Sequence, residues 1–317
     1  MILGTTDGKI YSVLKRKKMK ATLKIQSELM HTVRKFFKKE GFLEVLPPIL
    51  EPFTDPGIRG AEFFEVDYYG TPYKVMSALT VHKPILATHL GKIFAFCPCA
   101  RKEPEESKHT GRHLAQFWQI EVEIDQGSYE AAMRVLEELI VFILKEVKEK
   151  CAAELRTLER CLKIPKIPFK RLTHRETVDI ARKLGFEAYY DKEIPWETEK
   201  AISQHFSEPF FITKYPKGSR GFYDKDSGDV LLDFDLILPE GFGEVSSGSE
   251  REYEYEKIRK KLSSMKGFDL YFKIVKKGIK PTAGFGIGFE RLTMFICGLE
   301  KVWDATLFPK VPDVIHS

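Results

Sequence analysis

Between Phe94 and Ile124 the chain reads as a strand, a long charged loop and a second strand. Gln116–Ile124 alternates with a period of two. Trp118, Ile120, Val122 and Ile124 share one face, and Phe117, Gln119, Glu121 and Glu123 share the other. Elsewhere the spacing is helical. Ala21–Glu40 has apolar positions at Leu23, Leu29/Met30, Val33 and Phe36/Phe37, and Gly41 suits its C-terminal cap. Ser128 is placed to cap a helix whose stripe is Met133, Leu136, Leu139/Ile140 and Ile143/Leu144. Thr173 and Glu176 form a capping-box pattern that opens Thr173–Leu184.

Phe42–Val45, Phe210–Tyr215, Val230–Leu238, Gly243–Ser246 and Ala283–Gly288 read as strands, and Tyr68–Val75 as a hairpin about Gly70. Thr54-Asp55-Pro56-Gly57 is turn chemistry. Further helices are expected at Lys83, over Glu252–Met265 and over Glu290–Leu299. No repeat or low-complexity tract breaks the pattern. One α+β domain, a mainly antiparallel sheet flanked by helices, accounts for it.

Composition changes this picture little. The 317 residues can bury a full core, and no apolar run is long enough to span a bilayer. The net charge of +5 owes much to Lys15–Lys20, so residues 1–20 read as a basic arm and 21–317 as the domain. Five cysteines at irregular spacing and no signal peptide lead to an expected reducing, cytoplasmic setting. Cys97-Pro98-Cys99 has no second pair to complete a zinc set, and these residues read as strand.

The candidate chemistry gathers around the first stretch. Arg101 and Glu103 leave one strand, Arg112 and His113 end the loop, and Phe117, Glu121 and Glu123 share a face. Such a face is costly in an apolar core. It suits the floor of a site for an anionic ligand with an aromatic part, such as a nucleoside triphosphate. Gly284-x-Gly286-x-Gly288 alone indicates close packing of a strand. Arg291, in the first turn of the next helix, adds a phosphate site to it. Glu244 and Ser247, three apart across an expected strand-to-turn junction, suit either a turn interaction or a hard cation such as Mg²⁺. Arg251, one expected helical turn later, is placed for bidentate contact with a carboxylate. Asp233 and Asp235 share a face.

Together these blocks resemble the three signatures of class II aminoacyl-tRNA synthetases of the aspartyl/asparaginyl subgroup. FFKKEGFLEVLPPIL is similar to the first, ARKE…RHLAQFWQIEVE to the second and GFGIGFERL to the third. GEVSSGSERE and FFITKYP…RGFY add subgroup-specific matches, so the resemblance covers about residues 21 to 310. It implies the class II catalytic fold, with ATP and Mg²⁺. By this resemblance Arg101 holds the α-phosphate, Glu103 contacts the adenosine and Phe117 stacks on adenine. His113 and Arg291 clamp the outer phosphates, Arg112 joins the ATP-binding set, and Arg101 and Arg291 are the catalytic pair. Glu244 and Ser247 hold Mg²⁺. Asp55, Ser77, Lys83, Asp235 and Arg251 are expected at the amino acid.

Three departures bear on the acceptor. Only about twenty residues precede the first helix, leaving no room for the subgroup's anticodon-binding OB domain. Gln116 stands where the subgroup carries Glu, and Ser77-Ala78-Leu79-Thr80 replaces its QSP-type loop. The chain is therefore similar to stand-alone archaeal asparagine synthetase-related proteins. That resemblance implies an AMP-forming ligase making asparagine from L-aspartate and ammonia through an aspartyl-adenylate, as a homodimer. The alternative is a tRNA-linked enzyme of the aspartyl/asparaginyl type. A nucleotide-binding paralogue without catalysis is a third reading, opposed by Arg101, Glu103, Glu244 and Arg291.

Overall fold

A computed structural model describes residues 15–56, 61–262 and 267–312. Residues 1–14 of the basic arm, Gly57 of the expected turn, 263–266 at the end of an expected helix and 313–317 lie outside the described residues. Helix α1 (Lys17–Lys39) begins before the expected Ala21, because its buried stripe runs back through Ala21 to Met19. Lys17–Lys20 thus belong to the helix rather than to an arm. The remaining helices are α2 (Lys83–Leu90), α3 (Tyr129–Lys150), α4 (Ala152–Thr157), α5 (His174–Lys183), α6 (Trp196–His205), α7 (Tyr255–Lys261), α8 (Asp269–Val275) and α9 (Phe289–Cys297). Ser128 Oγ caps α3 through Ala131 N–H, and the Thr173–Glu176 capping box opens α5.

An eight-stranded sheet organises these helices. Its strands are β1 (Leu43–Glu44), β5 (Ile93–Ala100), β6 (Gln116–Asp125), β7 (Lys170–Thr173), β8 (Phe210–Thr213), β11 (Asp233–Leu238), β12 (Gly243–Glu250) and β13 (Thr282–Gly288). The spatial order is β1-β5-β6-β13-β12-β11-β8-β7, with parallel pairing only at its two edges, β1–β5 and β7–β8. Two small sheets, β2 (Leu50–Glu51) with β3 (Glu65–Tyr68) and β4 (Thr71–Val75), and β9 (Asp226–Ser227) with β10 (Val230–Leu231), lie outside it.

One face of the large sheet is the core. Ile120, Val122, Phe234 and Phe285 point into it and meet Leu29, Val33 and Phe37 of α1, Leu136 and Ile140 of α3, and Leu292 and Ile296 of α9. Alternation then commits the opposite face of the same strands to the polar residues. Neighbouring strands align these as two rows. Asp235, Ser247, Gly286 and Glu121 form one, and Asp233, Ser249, Gly284 and Glu123 form the other.

Two strand readings are corrected. Val230–Leu238 is not continuous: it breaks at Leu232, so β10 pairs with β9 while β11 enters the main sheet. β12 runs to Glu250 instead of stopping at Ser246, so Glu244 and Ser247 lie within a strand and not at a turn. Arg251 follows that strand in extended backbone, its N–H bonded to Thr282 O at 2.8 Å, and is not on a helix. Cys97 and Cys99 are buried residues of β5. No helix among the described residues is long and apolar enough to cross a membrane.

Candidate active site

A cavity of about 200 Å³ opens over the polar face of β6, β13 and β12. Its walls include Asp55, Lys83, Arg101, Glu103, Arg112, His113, Phe117, Glu244, Ser247, Arg251 and Arg291, drawn from distant parts of the chain and gathered by strand order. Ser77 and Asp235 are not on this wall. Ser77 stands behind it, its Oγ donating to Asp55 O at 2.6 Å while its carbonyl accepts from Arg101 Nε at 3.0 Å. Asp235 is fully buried beneath Ser247, held by Tyr215 Oη and both Nη atoms of Arg220.

Glycine makes the floor possible. A Cβ on Gly284 would lie 2.0 Å from Glu123 Oε2, and one on Gly286 3.1 Å from Glu121 Oε2. Gly284 and Gly286 of β13, the strand between β6 and β12, thus leave room for two carboxylates to lie across it. Those carboxylates hold two cations at one end of the cavity. Lys83 Nζ donates to Glu121 Oε2 at 2.6 Å and to Phe285 O at 2.9 Å, with Glu123 Oε2 at 3.7 Å. Arg251 forks onto both oxygens of Glu123, at 3.1 and 3.3 Å, and its Nη1 reaches Ser249 Oγ at 2.8 Å. Burial opposes the Arg251 charge, but Glu123 and Asp224 outweigh it and keep the guanidinium protonated. Tyr223 Oη donates to Asp55 Oδ2 at 3.1 Å, closing that end.

At the other end the guanidinium of Arg101 lies 5.2 Å from the Phe117 ring centroid. Half-buried Phe117 leaves a ring face on the cavity, suited to stacking a base. His113 Nδ1 is fixed 2.7 Å from Thr110 Oγ1. Arg112 is clamped by Glu199 of α6 at 2.8 Å and by Glu244 O at 2.9 Å. Glu290 accepts the Trp118 N–H with both oxygens, and burial lifts its carboxyl to about 7. That contact ties the first turn of α9, and Arg291 with it, to the strand bearing Phe117.

Glu244 and Ser247 are three apart on β12, which in a regular strand would put them on opposite faces. A β-bulge reverses this. Leu236 pairs with Ser246 and Ile237 with Glu244, so Val245 is an extra residue between them. Ser247 Oγ then lies 3.1 Å from Glu244 Oε1, and Arg291 Nη1 lies 3.5 Å from the same oxygen. This all-oxygen pair fits Mg²⁺, which takes one or two protein oxygens and completes its shell with water and phosphate. Among the described residues no cluster of three His, Cys, Asp or Glu side chains could hold a metal alone.

Several site residues were not singled out from the sequence: Glu199, Arg220, Tyr223 and Asp224. Arg220 and Tyr223 fall inside RGFY, whose match to the subgroup was the available signal. Glu199 acts across 87 residues and carried none.

An antiparallel sheet bearing this cavity is the catalytic domain of a class II synthetase. The sequence pattern of the family described as tRNA synthetases class II (D, K and N) matches residues 7–312, and the chain belongs to that family. It is 33% identical to the asparagine–tRNA ligase of Pelotomaculum thermopropionicum over 92% of this chain and 69% of that one. It is also 33% identical to the aspartate–tRNA(Asp/Asn) ligase of Methanopyrus kandleri, over 96% of this chain and 70% of that one. The structure of asparaginyl-tRNA synthetase from Pyrococcus horikoshii complexed with asparaginyl-adenylate superposes with a TM-score of 0.88. That match has 28% identity and covers 95% of this chain and 70% of that one.

Proposed function

We propose that the chain uses ATP to convert aspartate to an aspartyl-adenylate, releasing pyrophosphate. The observation that carries this reading is one cavity with two chemically distinct ends. Phe117, His113 and Arg291 suit a base and phosphates, while Lys83, Arg251 and Asp55 suit a small amino acid. Arg101 stands between, on the wall shared with Asp55 and beside Phe117. A carboxylate held there attacks the α-phosphorus in line, and Arg101 stabilises the charge that develops. No side chain has to act as a nucleophile: positioning and electrostatics supply the rate. Glu244 and Ser247 would hold Mg²⁺, which neutralises phosphate charge when bound.

Two acceptors for the adenylate rest on different observations. The named relatives are tRNA ligases and support tRNA. This chain's own departures, Gln116 in place of Glu beside Phe117 and Ser77–Thr80 in place of the QSP-type loop, support ammonia, giving asparagine and AMP. Incubation with aspartate, ATP, Mg²⁺ and either ammonium or tRNA separates them by product: asparagine or charged tRNA, each with AMP. ADP in place of AMP would remove the adenylate from both.

A homodimer is proposed through the segment after β1, where Leu46 is 95% and Ile49 62% exposed beside half-exposed Leu43. These side chains form an apolar run at the Pro47–Pro48 end of the first signature. Light scattering at micromolar concentration should report twice the chain mass, and a monomer would refute it.

A further inference from the structure

Asp233 belongs to one of the two polar rows, and the adenylation step does not use it. It lies on the cavity wall and is 2% exposed. Its Oδ1 accepts the Tyr215 N–H at 2.9 Å. Its Oδ2 is buried and takes no hydrogen bond among the described residues. The nearest donors do not hydrogen-bond to Oδ2. Arg220 Nε, 3.9 Å from Oδ2, lies 2.6 Å from Glu193 Oε1, and both Nη atoms of Arg220 go to Asp235. The cross-strand partner Ser249 donates to Asp224 and accepts from Arg251. A buried carboxylate oxygen facing a cavity without a donor is costly unless a ligand supplies one. A small N–H donor in the cavity would supply one.

We propose that Asp233 is the subsite for the nitrogen nucleophile: Oδ2 accepts an N–H of ammonia and takes its proton as the adenylate is consumed. This inference rests on the ammonia reading of the acceptor. As nitrogen attacks the acyl carbon, the C–N bond forms and the C–O bond to AMP breaks. AMP leaves with the C–O electron pair, and one N–H proton passes to Asp233 Oδ2, leaving a neutral amide. Burial lifts the Asp233 carboxyl to about 8, against the attraction of Arg220, so it acts as a base through its ionised form, whose share grows as pH rises through 8.

The test compares Asp233→Asn with the unmodified protein in three assays: aspartate-dependent ATP–pyrophosphate exchange, asparagine formation against ammonium concentration, and hydroxamate formation with hydroxylamine. The ratio of asparagine formation to exchange should fall about a hundredfold, the usual loss for a missing general base. Hydroxamate formation should fall with it, since hydroxylamine also loses one N–H proton as it attacks. An unchanged ratio in a protein that makes asparagine overturns the role of Asp233 alone. A raised KM for aspartate with the ratio unchanged assigns Asp233 to the amino acid and also overturns it. No asparagine from the unmodified protein, with tRNA charged instead, overturns the acceptor reading and the subsite together. Asp233→Ser, which keeps an acceptor for the Tyr215 N–H, repeats the comparison should Asp233→Asn unfold.

Discussion

The carboxylate of Glu123 occupies the space where a side chain on Gly284 would begin, its Oε2 2.0 Å from the position of that missing Cβ. The same carboxylate orients Arg251, so a glycine on one strand determines where a guanidinium on another can point. Gly284→Ala should therefore displace Glu123 and also press on Val122 O, which lies 2.2 Å from that Cβ position. Thermal unfolding should show a loss of about 1–3 kcal/mol, and ATP–pyrophosphate exchange should fall with it. Gly286→Ala, with 3.1 Å to a carboxylate that can shift, should cost less.

Glu199 is predicted to control the phosphate end although it does not line the cavity. Its Oε1 accepts from Arg112 Nη1 and from Glu244 N, both at 2.8 Å. Glu199→Ala leaves a buried guanidinium short of its partner, which costs about 3–5 kcal/mol in comparable pairs. Steady-state kinetics should show a raised KM for ATP and a smaller change for aspartate. Equal effects on both would remove the assignment.

Phe117→Ala should weaken ATP selectively. Loss of one base–aromatic stack is worth about 1–3 kcal/mol, or roughly five- to 150-fold in KM for ATP. An unchanged KM would show that adenine lies elsewhere.

Much of this site was legible because period-two alternation is a local property. The two faces of Gln116–Ile124 could be assigned from the sequence, and the cost of burying Glu121 and Glu123 marked a site floor. The bulge at Val245 was not legible, since it exists only in the pairing of β12 with β11. Without it Glu244 and Ser247 needed a turn that the fold does not contain. Asp235 and Ser77 share a face or segment with cavity residues, yet other side chains stand in front of them. Arg220 fixes Asp235 from fifteen residues away, a distance at which no pattern reports a contact.

Acid stability should depend on His82. Its ring stacks on Phe53 with centroids 4.7 Å apart, neither nitrogen makes a hydrogen bond among the described residues, and burial lowers its pKa from 6.5 to about 4. Below pH 6.5 the unfolded chain binds a proton that the folded chain refuses, so this residue costs stability as pH falls from 6.5 to 4. His82→Phe should flatten the stability–pH curve in that window, measured by urea unfolding. An unchanged slope would contradict the burial.

Adenylation is tested most directly by the fate of the carboxylate oxygens of aspartate. Aspartate labelled with heavy oxygen in both carboxylates is turned over with ATP, Mg²⁺ and the acceptor that supports reaction, and the AMP is examined by mass spectrometry. A carboxylate that attacks the α-phosphorus leaves one of its oxygens there, so AMP should carry one heavy oxygen. Selective labelling then identifies the attacking group: the side-chain carboxylate for the ammonia reading, the α-carboxylate for tRNA. Unlabelled AMP, or ADP with labelled phosphate, would contradict the account.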